Sequence, residues 1–470
     1  TLAITGATTI SASGQDITLD EAASTFGTLA LTGSNVAVTE NAAMDLGAST
    51  IGGTANFNST SNVITDSGTL AITGATTINA GTADITLDQA ASTFGALALT
   101  GANVAVTENA ATDLAASTVS GTLGVTSTGA VTDSGTLAIT GATTISASGQ
   151  DITLDEAAST FGTLVLTGAN VAVQENSATD LGASTVSGTF GITSGGAITD
   201  SGTLAITGAS TFTNTAGTND AITLDDSSNT FSGTVAFATD SGSAVTVVDT
   251  TDLDLQAMTV GSLSVTAGGA VTDSGTLGIS GATTINAGTA DITLDESAST
   301  FGTLALTGAN VAVTENAATD LGASTVSGTF GLTSTGAVTD SGTLAITGAT
   351  TISASGQNIT LDAGSSTFGT LTLTGANIAV TESAATDLGM TTASGTLSIT
   401  SSGAITDSGT LAVTGASNFT NSAGANDAIT LDDAGNTFNG TIAFSTDSGS
   451  DVTVVDTTGI DLQTLTAGTL

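Results

Sequence analysis

Seven amino acids are missing from this chain of 470 residues: lysine, arginine, histidine, proline, cysteine, tryptophan and tyrosine. Without lysine or arginine no side chain can neutralise phosphate, so nucleic acid is excluded as a partner. For the same reason an anionic membrane surface repels the chain. No run of about 18 apolar residues occurs, so membrane insertion is not expected either. Without cysteine, neither disulfides nor thiol chemistry can be inferred.

The acidic side chains have no cationic side chain to pair with. They number 42 and give a formal net charge of −42, so each carboxylate needs water, a backbone N–H group or a metal cation. Divalent cations, Ca²⁺ above all, are therefore the partners that the composition favours, although no cofactor is required. The chain is nevertheless 39% hydrophobic, which is too apolar for a disordered acidic segment. Its Ala, Leu, Ile and Val alternate with Thr and Ser, a pattern that favours β-strands.

One repeated sequence accounts for the whole chain. The string Thr-Leu-Ala-Ile-Thr-Gly, or a close variant, opens seven modules. They span residues 1–68, 69–135, 136–202, 203–275, 276–342, 343–409 and 410–470. The fourth and seventh modules are variants, and the seventh is incomplete. Because the chain starts and stops inside a repeat, we expect it to be a piece of a longer array. We predict one continuous solenoid over residues 1–470.

An aspartate recurs within each module at a nearly constant interval. The series begins with Asp20, Asp45, Asp66, Asp88, Asp113, Asp133, Asp155, Asp180 and Asp200. It continues to Asp456 with a mean spacing of about 23 residues, the length of one turn of a parallel β-helix. Three Gly-(Thr/Ala)-Leu strands occur in each module as well. The sequence therefore predicts an all-β fold, a parallel β-helix solenoid with about three coils per 67-residue module.

The strands are too short to bury a core unless they are stacked. In the first strand Leu2 and Ile4 face one way, while Thr1, Ala3 and Thr5 face the other. One phenylalanine per module is predicted to fill the stack periodically. These residues are Phe26, Phe94, Phe161, Phe231, Phe301, Phe368 and Phe438. A string of β-sandwich domains is the alternative fold, and the absence of an inward Trp or Tyr disfavours it.

The aspartate series is the first candidate site, and two interpretations of it remain open. If these residues share one corner of the solenoid, Ca²⁺ bridges successive carboxylates. Otherwise each carboxylate caps its own turn and is screened by salt. The variant modules add a sharper candidate, three carboxylates within seven residues. These candidate metal ligands are Asp220, Asp225, Asp226, Asp427, Asp432 and Asp433. Residues 216–222 also faintly resemble the Ca²⁺-binding nonapeptide of RTX repeats, with an acidic turn as the alternative.

The strings Ser-Gly-Thr-Leu-Ala-Ile-Thr-Gly-Ala-Thr-Thr-Ile and Gly-Thr-Leu-Ala-Leu-Thr-Gly-Ala-Asn-Val resemble the repeat regions of filamentous-haemagglutinin-like exoproteins and autotransporter passengers of Gram-negative bacteria. The resemblance covers the whole chain. It implies a right-handed β-helix, export to the cell surface, and use as an adhesin shaft or surface fibre. The secretion domain usual in that family is not in this stretch.

The function expected from the sequence is a non-enzymatic, extracellular structural rod. Catalysis is not expected, because every carboxylate recurs along the repeat and no distinctive constellation occurs in one place. The expected partners are other copies of the chain, joined end to end or laterally into filaments. Two alternatives stay open: a Ca²⁺-dependent matrix, sheath or surface-layer component, and a solenoid whose Thr-rich face binds ice or surface glycans.

Overall fold

The computed structural model describes residues 1–215, 217, 219–422, 426–465 and 467–470. Two compact units are present, Thr1–Asp240 and Ser241–Leu470, and each is a stack of parallel β-strands. In all there are about 22 turns, and strands that stack on each other lie about 20 residues apart. The predicted all-β, parallel β-solenoid is therefore confirmed. The continuity of one solenoid over residues 1–470 stays a prediction.

Each coil has two sides, and each side is either one straight segment or a bent pair of short strands. A full module runs through seven sides in the order straight, bent, straight, straight, bent, straight, bent. We number the straight sides one to four and the bent sides one to three in that order. The chain turns at Gly, Asn, Ser and Asp between sides, as the sequence predicts.

The four straight sides are single strands. The first are Thr8–Ser11, Thr76–Asn79, Thr143–Ser146, Ser210–Asn214, Ala282–Asn286, Thr350–Ser353 and Ser417–Asn421. The second are Thr28–Gly33, Leu97–Gly101, Thr163–Gly168, Thr234–Ala238, Thr303–Gly308, Thr370–Gly375 and Thr441–Ser445. The third are Val36–Thr39, Val104–Glu108, Val171–Glu175, Ala244–Asp249, Val311–Glu315, Ile378–Glu382 and Val452–Val454. The fourth are Ala55–Asn58, Leu123–Ser127, Phe190–Ser194, Ser262–Ala267, Phe330–Ser334 and Leu397–Ser401.

The three bent sides begin with a short strand, turn a corner, and continue in a second one. The first bent sides begin with Ile17–Leu19, Ile85–Leu87, Ile152–Leu154, Ile222–Leu224, Ile292–Leu294, Ile359–Leu361 and Ile429–Leu431. In the two variant modules they continue with a second strand, Thr230–Phe231 or Thr437–Phe438. In the other modules a single bridge residue, such as Thr93, takes the place of that strand. The second begin with Met44–Leu46, Thr112–Leu114, Thr179–Leu181, Leu253–Leu255, Thr319–Leu321, Thr386–Leu388 and Asp461–Leu462. They continue with Ser49–Ile51, Ser117–Val119, Ser184–Val186, Met258–Val260, Ser324–Val326 and Thr391–Ala393.

The third bent side joins one module to the next. Its first strands are Ile64–Asp66, Val131–Asp133, Ile198–Asp200, Val271–Asp273, Val338–Asp340 and Ile405–Asp407. Its second strands are Leu70–Ile72, Leu137–Ile139, Leu204–Ile206, Leu277–Ile279, Leu344–Ile346 and Leu411–Val413. Among the described residues there is no helix long and apolar enough to cross a membrane.

A module holds three and a half coils, half a coil more than the aspartate spacing indicates. In the first unit, seven steps of strand pairing lead from Thr8 to Thr143, which occupies the same place two modules later. The extra half coil arises because the second and third straight sides follow each other directly. Equivalent strands of neighbouring modules therefore lie in opposite sheets: Thr8–Ser11 and Thr143–Ser146 in one, Thr76–Asn79 in the other.

Apolar residues of the two sheets meet inside the coils. In the strand Leu123–Ser127 the side chains of Leu123 and Val125 are buried and Thr126 is exposed, the alternation that the sequence predicts. The once-per-module phenylalanines are all buried. Phe231 also packs edge-on against Phe212, with ring centroids 6.0 Å apart. Stacking buries side chains that one coil alone would leave exposed.

Glycines stack where consecutive coils come close at the corners. A Cβ atom on Gly74 would lie 2.6 Å from the carbonyl carbon and oxygen of Gly53 in the preceding coil, which is closer than van der Waals contact allows. One residue before that contact point, Gly52 has no atom within 4 Å of its Cβ position. The column of glycines therefore sets the spacing of the coils at this corner.

We predict that Gly74→Ala destabilises the solenoid by about 1–3 kcal/mol, because the added methyl group overpacks a backbone contact. Gly52→Ala is the matched control. It should change the free energy of unfolding by less than ~0.5 kcal/mol, because the added methyl group meets open space. Thermal unfolding followed by circular dichroism measures both. Equal melting temperatures for the two variants would show that the glycine column does not limit the stacking.

Candidate functional site

Two recurring kinds of polar side chain lie where a straight side and a bent side stack on each other. The two shapes do not match at the corner, so some backbone N–H groups face a gap where no strand lies. Buried N–H groups need an acceptor, and leaving one unpaired costs roughly 1–3 kcal/mol. Side chains from the next coil supply these acceptors.

A buried serine fills the gap where the second straight side meets the second bent side. The Oγ atom of Ser117 accepts a hydrogen bond from the backbone N–H of Leu99 at 3.0 Å, and it donates one to the carbonyl of Ala115 at 2.7 Å. Ser49 and Ser184 receive the same bond from Leu31 and Leu166. The serine replaces the strand that turns away at this corner.

A buried glutamate fills the gap where the first bent side meets the third straight side. Thr93 pairs with Ala71 in the preceding coil, so the N–H of Phe94 points towards the next coil. There the straight side ends, and Oε1 of Glu108 accepts this N–H at 2.7 Å. Equivalent bonds join Phe26 to Glu40, Phe161 to Glu175, Phe301 to Glu315 and Phe368 to Glu382, all at 2.7–2.8 Å.

These five glutamates are at most 2% exposed and have no cationic side chain to pair with. In two modules the second oxygen accepts a threonine hydroxyl, from Thr179 to Glu175 and from Thr386 to Glu382, both at 2.9 Å. In the first module Met44 stands at that position, and Oε2 of Glu40 has no hydrogen-bond partner among the described residues. Only neutral donors stabilise these carboxyl groups.

Burial raises the pKa of every one of these glutamates, and the hydrogen bond from the phenylalanine N–H only partly opposes it. For Glu382 the pKa rises to about 7. Burial disfavours the charged form of a carboxyl group, and no cation offsets it.

Sequence reasoning missed the glutamates, although a signal was available. In Val104–Glu108 the side chains of Val104, Val106 and Glu108 share the inward side of the alternation. A glutamate at an inward position, once in each of the five ordinary modules and 14 residues after the recurring phenylalanine, indicates a buried carboxyl group. In the last module Asp456 stands at this position and accepts the N–H of Phe438 at 3.2 Å.

The aspartate series does not form one row of equivalent positions. Its members fall into three classes that lie at different places in the coil. The first class, Asp20, Asp88 and Asp155, lies in the turn of the first bent side. The second class, Asp45, Asp113 and Asp180, lies in the first strand of the second bent side. The third class, Asp66, Asp133 and Asp200, ends the first strand of the third bent side.

The third-class aspartates cap the turns in which the first-class aspartates lie. Oδ1 of Asp133 accepts the backbone N–H of Asp155 at 2.8 Å, and Asp66 accepts that of Asp88 at 2.9 Å. In the second class Oδ2 of Asp45 accepts the hydroxyls of Thr28 and Ser67, at 2.6 and 2.9 Å. The carboxylates of the second and third classes are thus held by N–H or O–H groups of neighbouring coils.

Burial also raises the pKa of the third-class aspartates Asp66, Asp133 and Asp340. For Asp273 the pKa rises to about 6: burial is the main cause, the charges of Asp295 and Glu296 add to it, and backbone N–H groups oppose it. These four aspartates are therefore a second set of carboxyl groups whose pKa is raised by burial.

The acidic turns of the variant modules follow the same plan. Asp200 accepts the backbone N–H groups of Asp225 and Asp226, at 2.8 and 3.2 Å, and Nδ2 of Asn229 at 2.6 Å. Asp226 accepts the hydroxyl of Thr203 at 3.1 Å. In the last module Asp407 receives the same three bonds from Asp432, Asp433 and Asn436. Asp225 and Asp432 are exposed.

The candidate metal ligands do not converge in the part of the chain that is described. No group of three or more acidic side chains there is placed to hold a metal ion. Asp220 and Asp427 lie before the strands Ile222–Leu224 and Ile429–Leu431, and the paired aspartates lie after them. The RTX-like stretch falls partly on residues 216 and 218, which lie outside the described residues. Ca²⁺ binding stays a prediction.

A third recurring arrangement holds an exposed corner. Oδ1 of Asp151 accepts the backbone N–H and the side-chain Nδ2 of Asn170, at 3.1 and 2.9 Å. Oδ1 of Asn170 in turn accepts the N–H and hydroxyl of Thr189 in the next coil. Three consecutive coils are linked by this Asp–Asn–Thr chain, which adds a polar seam along the corner.

The outer surface of the straight sides carries hydroxyl groups and no charge. Thr107, Thr126, Ser146 and Thr167 are register neighbours on four consecutive coils of the first unit. The parallel row beside them is Ala105, Gly124, Thr144 and Val165. Two threonines per coil, the regular array expected of an ice-binding face, are therefore not formed on these coils.

Small depressions occur on the surface of the described residues. Three of them have volumes of about 240, 170 and 180 Å³, below the roughly 300–1,000 Å³ of most ligand pockets. The largest of the three is lined by Thr259, Val260, residues 278–280 and other uncharged groups. It offers no acid or base for catalysis.

Parallel coils, a repeated module and polar side chains that bond to the backbone of the solenoid define a repeat β-solenoid protein. The chain belongs to the family described as repeats of unknown function (DUF5649). Seven segments match it: residues 1–32, 33–100, 101–167, 168–238, 242–307, 308–374 and 375–445. The family repeat has the period of our modules but starts near the turn between the second and third straight sides. No curated protein and no solved structure matches the chain significantly.

We predict that Asp200→Ala lowers the free energy of unfolding by about 1–3 kcal/mol, because three donors lose their acceptor. Asp225→Ala, which removes an exposed carboxylate from the same turn, should change it by less than ~0.5 kcal/mol. Chemical unfolding with and without 1 mM Ca²⁺ measures both. If Ca²⁺ stabilises the parent chain and Asp225→Ala abolishes that gain, the turn is a metal site and not a backbone cap.

Proposed function

We propose that the chain is a non-enzymatic, extracellular structural rod, a shaft or filament segment of a bacterial surface fibre or adhesin. The observation that carries this proposal is the repetition of every polar device. The buried serine, the glutamate and the third-class aspartate recur along the chain, and the side chain of each bonds to the backbone of an adjacent coil. Repetition of this kind extends a structure, whereas a catalytic site needs a constellation that occurs in one place.

The surface composition supports a place outside the cell. A net charge of −42 with no cationic side chain keeps a long repeat protein soluble and discourages collapse on anionic surfaces. The absence of lysine and arginine leaves trypsin-like proteases no cleavage site. The resemblance to filamentous-haemagglutinin-like repeats points to the same location.

A deletion of two whole modules tests the rod. Removing residues 69–202 takes out seven coils, or about 34 Å at ~4.8 Å per coil, and leaves equivalent strands in the same sheets. Electron microscopy should show particles of unchanged width that are shorter by this amount, with an unchanged β-signal by circular dichroism. A change in width, or globular particles in either sample, would rule out the rod.

A test of location needs the cells that make the protein. Antibodies raised against the chain should label intact cells, and trypsin treatment should leave that label in place. Labelling that appears only after the cells are broken would overturn the extracellular proposal.

A Ca²⁺-dependent matrix or sheath is the second candidate, and the number of unpaired carboxylates favours it. Ca²⁺ would then link carboxylates of neighbouring copies, which the chain cannot do by salt bridges of its own. Light scattering of the purified chain at 0–10 mM Ca²⁺ measures this. Growth of particles that EGTA reverses, and that Mg²⁺ does not reproduce, would place this candidate ahead of the plain rod. Unchanged scattering would exclude it.

A further inference from the structure

We propose that the solenoid is a proton-binding structure: each ordinary module folds with its buried glutamate as a neutral carboxylic acid, so that acid strengthens the fold. The glutamates concerned are Glu40, Glu108, Glu175, Glu315 and Glu382. This inference concerns the conditions under which the chain is stable and does not depend on the rod proposal.

The geometry of the site carries the argument. Glu175 is 2% exposed, and its two oxygens receive only neutral donors: the N–H of Phe161 and the hydroxyls of Ser177 and Thr179, at 2.8–2.9 Å. A carboxylate removed from water without a cation is strongly disfavoured, and protonation relieves that penalty. A protonated carboxyl group still accepts the phenylalanine N–H and can donate its own O–H to a threonine hydroxyl.

The surrounding titratable groups do not change this conclusion. On the bent side before Glu175 they are Asp155 and Glu156, both in the turn, and on the strand that follows it is Asp180. The facing strand Phe190–Ser194 has none. Burial is the first cause of the raised pKa of Glu175, its hydrogen bonds oppose it, and no charged neighbour contributes.

The direction of the pH dependence follows from this shift. The folded pKa is raised above the unfolded value near 4.5, so the folded chain binds more protons between the two values. The stabilisation is complete below about pH 4.5 and is lost as the pH rises through the folded pKa, which is about 7 for Glu382. Most proteins gain stability over that range as their paired carboxylates ionise.

The chain offers a matched control for the experiment. Its eight glutamates divide into the five buried ones and three in the turns of first bent sides, Glu21, Glu156 and Glu296. We compare Glu108→Gln, Glu175→Gln and Glu382→Gln in one full-length variant with Glu21→Gln, Glu156→Gln and Glu296→Gln in another. Each variant replaces three glutamates by glutamines, so the charge of the unfolded chain changes equally in the two.

Thermal unfolding from pH 4.5 to 8 should show the parent chain melting at progressively lower temperature as the pH rises. The buried triple variant should melt higher than the turn variant at pH 8, and its melting temperature should fall less with pH. Glutamine keeps the oxygen that accepts the phenylalanine N–H and replaces the second one by a neutral donor. The pKa values of third-class aspartates are raised as well, so the melting temperature of the buried variant should still fall to some extent as the pH rises.

Proton uptake on refolding, measured by calorimetry in buffers of different ionisation enthalpy at pH 5.5–6, provides the second readout. The buried variant should take up fewer protons than the turn variant, with one fewer per replaced glutamate as the upper limit. The proposal is overturned if the two variants take up equal numbers. It is also overturned if the buried variant melts no higher than the turn variant at pH 8.

Discussion

The hydrogen-bond ladder between consecutive coils is the constraint on which the rest of this structure depends. Every strand must find partners in the coil before it and the coil after it, because a buried N–H or carbonyl group without a partner is costly. Two straight sides satisfy this requirement without help, whereas stacked bent sides use side-chain caps at their turns, such as Asp133 at the N–H of Asp155. Where the two shapes meet, the ladder breaks at the corner. The recurring serines and glutamates lie at these breaks, and their side chains complete the ladder.

The fold could be predicted from the sequence because its main determinants are local. Alternating residues such as Leu123, Val125 and Thr126 define which side of a strand faces inward, and the repeat defines the stacking. The number of coils was harder to obtain. The aspartate spacing averages over three positions that differ in structure. In addition, no sequence signal at Gly101–Val104 indicates that the chain passes directly from one straight side to another. That crossing adds the half coil.

The candidate site was predicted only in part, for a physical reason. The aspartates were chosen because they recur, yet Asp45, Asp66 and Asp88 have different neighbours and different exposure. The structure shows Asp66 capping the turn of the following coil, at the N–H of Asp88, where the sequence predicted a cap on its own turn. Ca²⁺ binding stays a prediction. Glu108 was overlooked because a carboxylate normally indicates surface. Its inward place in the strand predicts burial better than its charge does, because the position in the alternation determines whether a side chain faces the core or water.

The half coil has a consequence for how such an array can grow or shrink. Tandem repeats gain and lose whole modules when copies recombine with one another. Losing one module from the first unit would carry every later strand of that unit to the opposite sheet, so a surface patch that faced one neighbour would face away from it. Losing two modules shortens the stack and leaves each remaining strand in its original sheet, so the outer surfaces keep their orientation. Arrays whose outer faces touch something fixed should therefore vary in length by even numbers of modules.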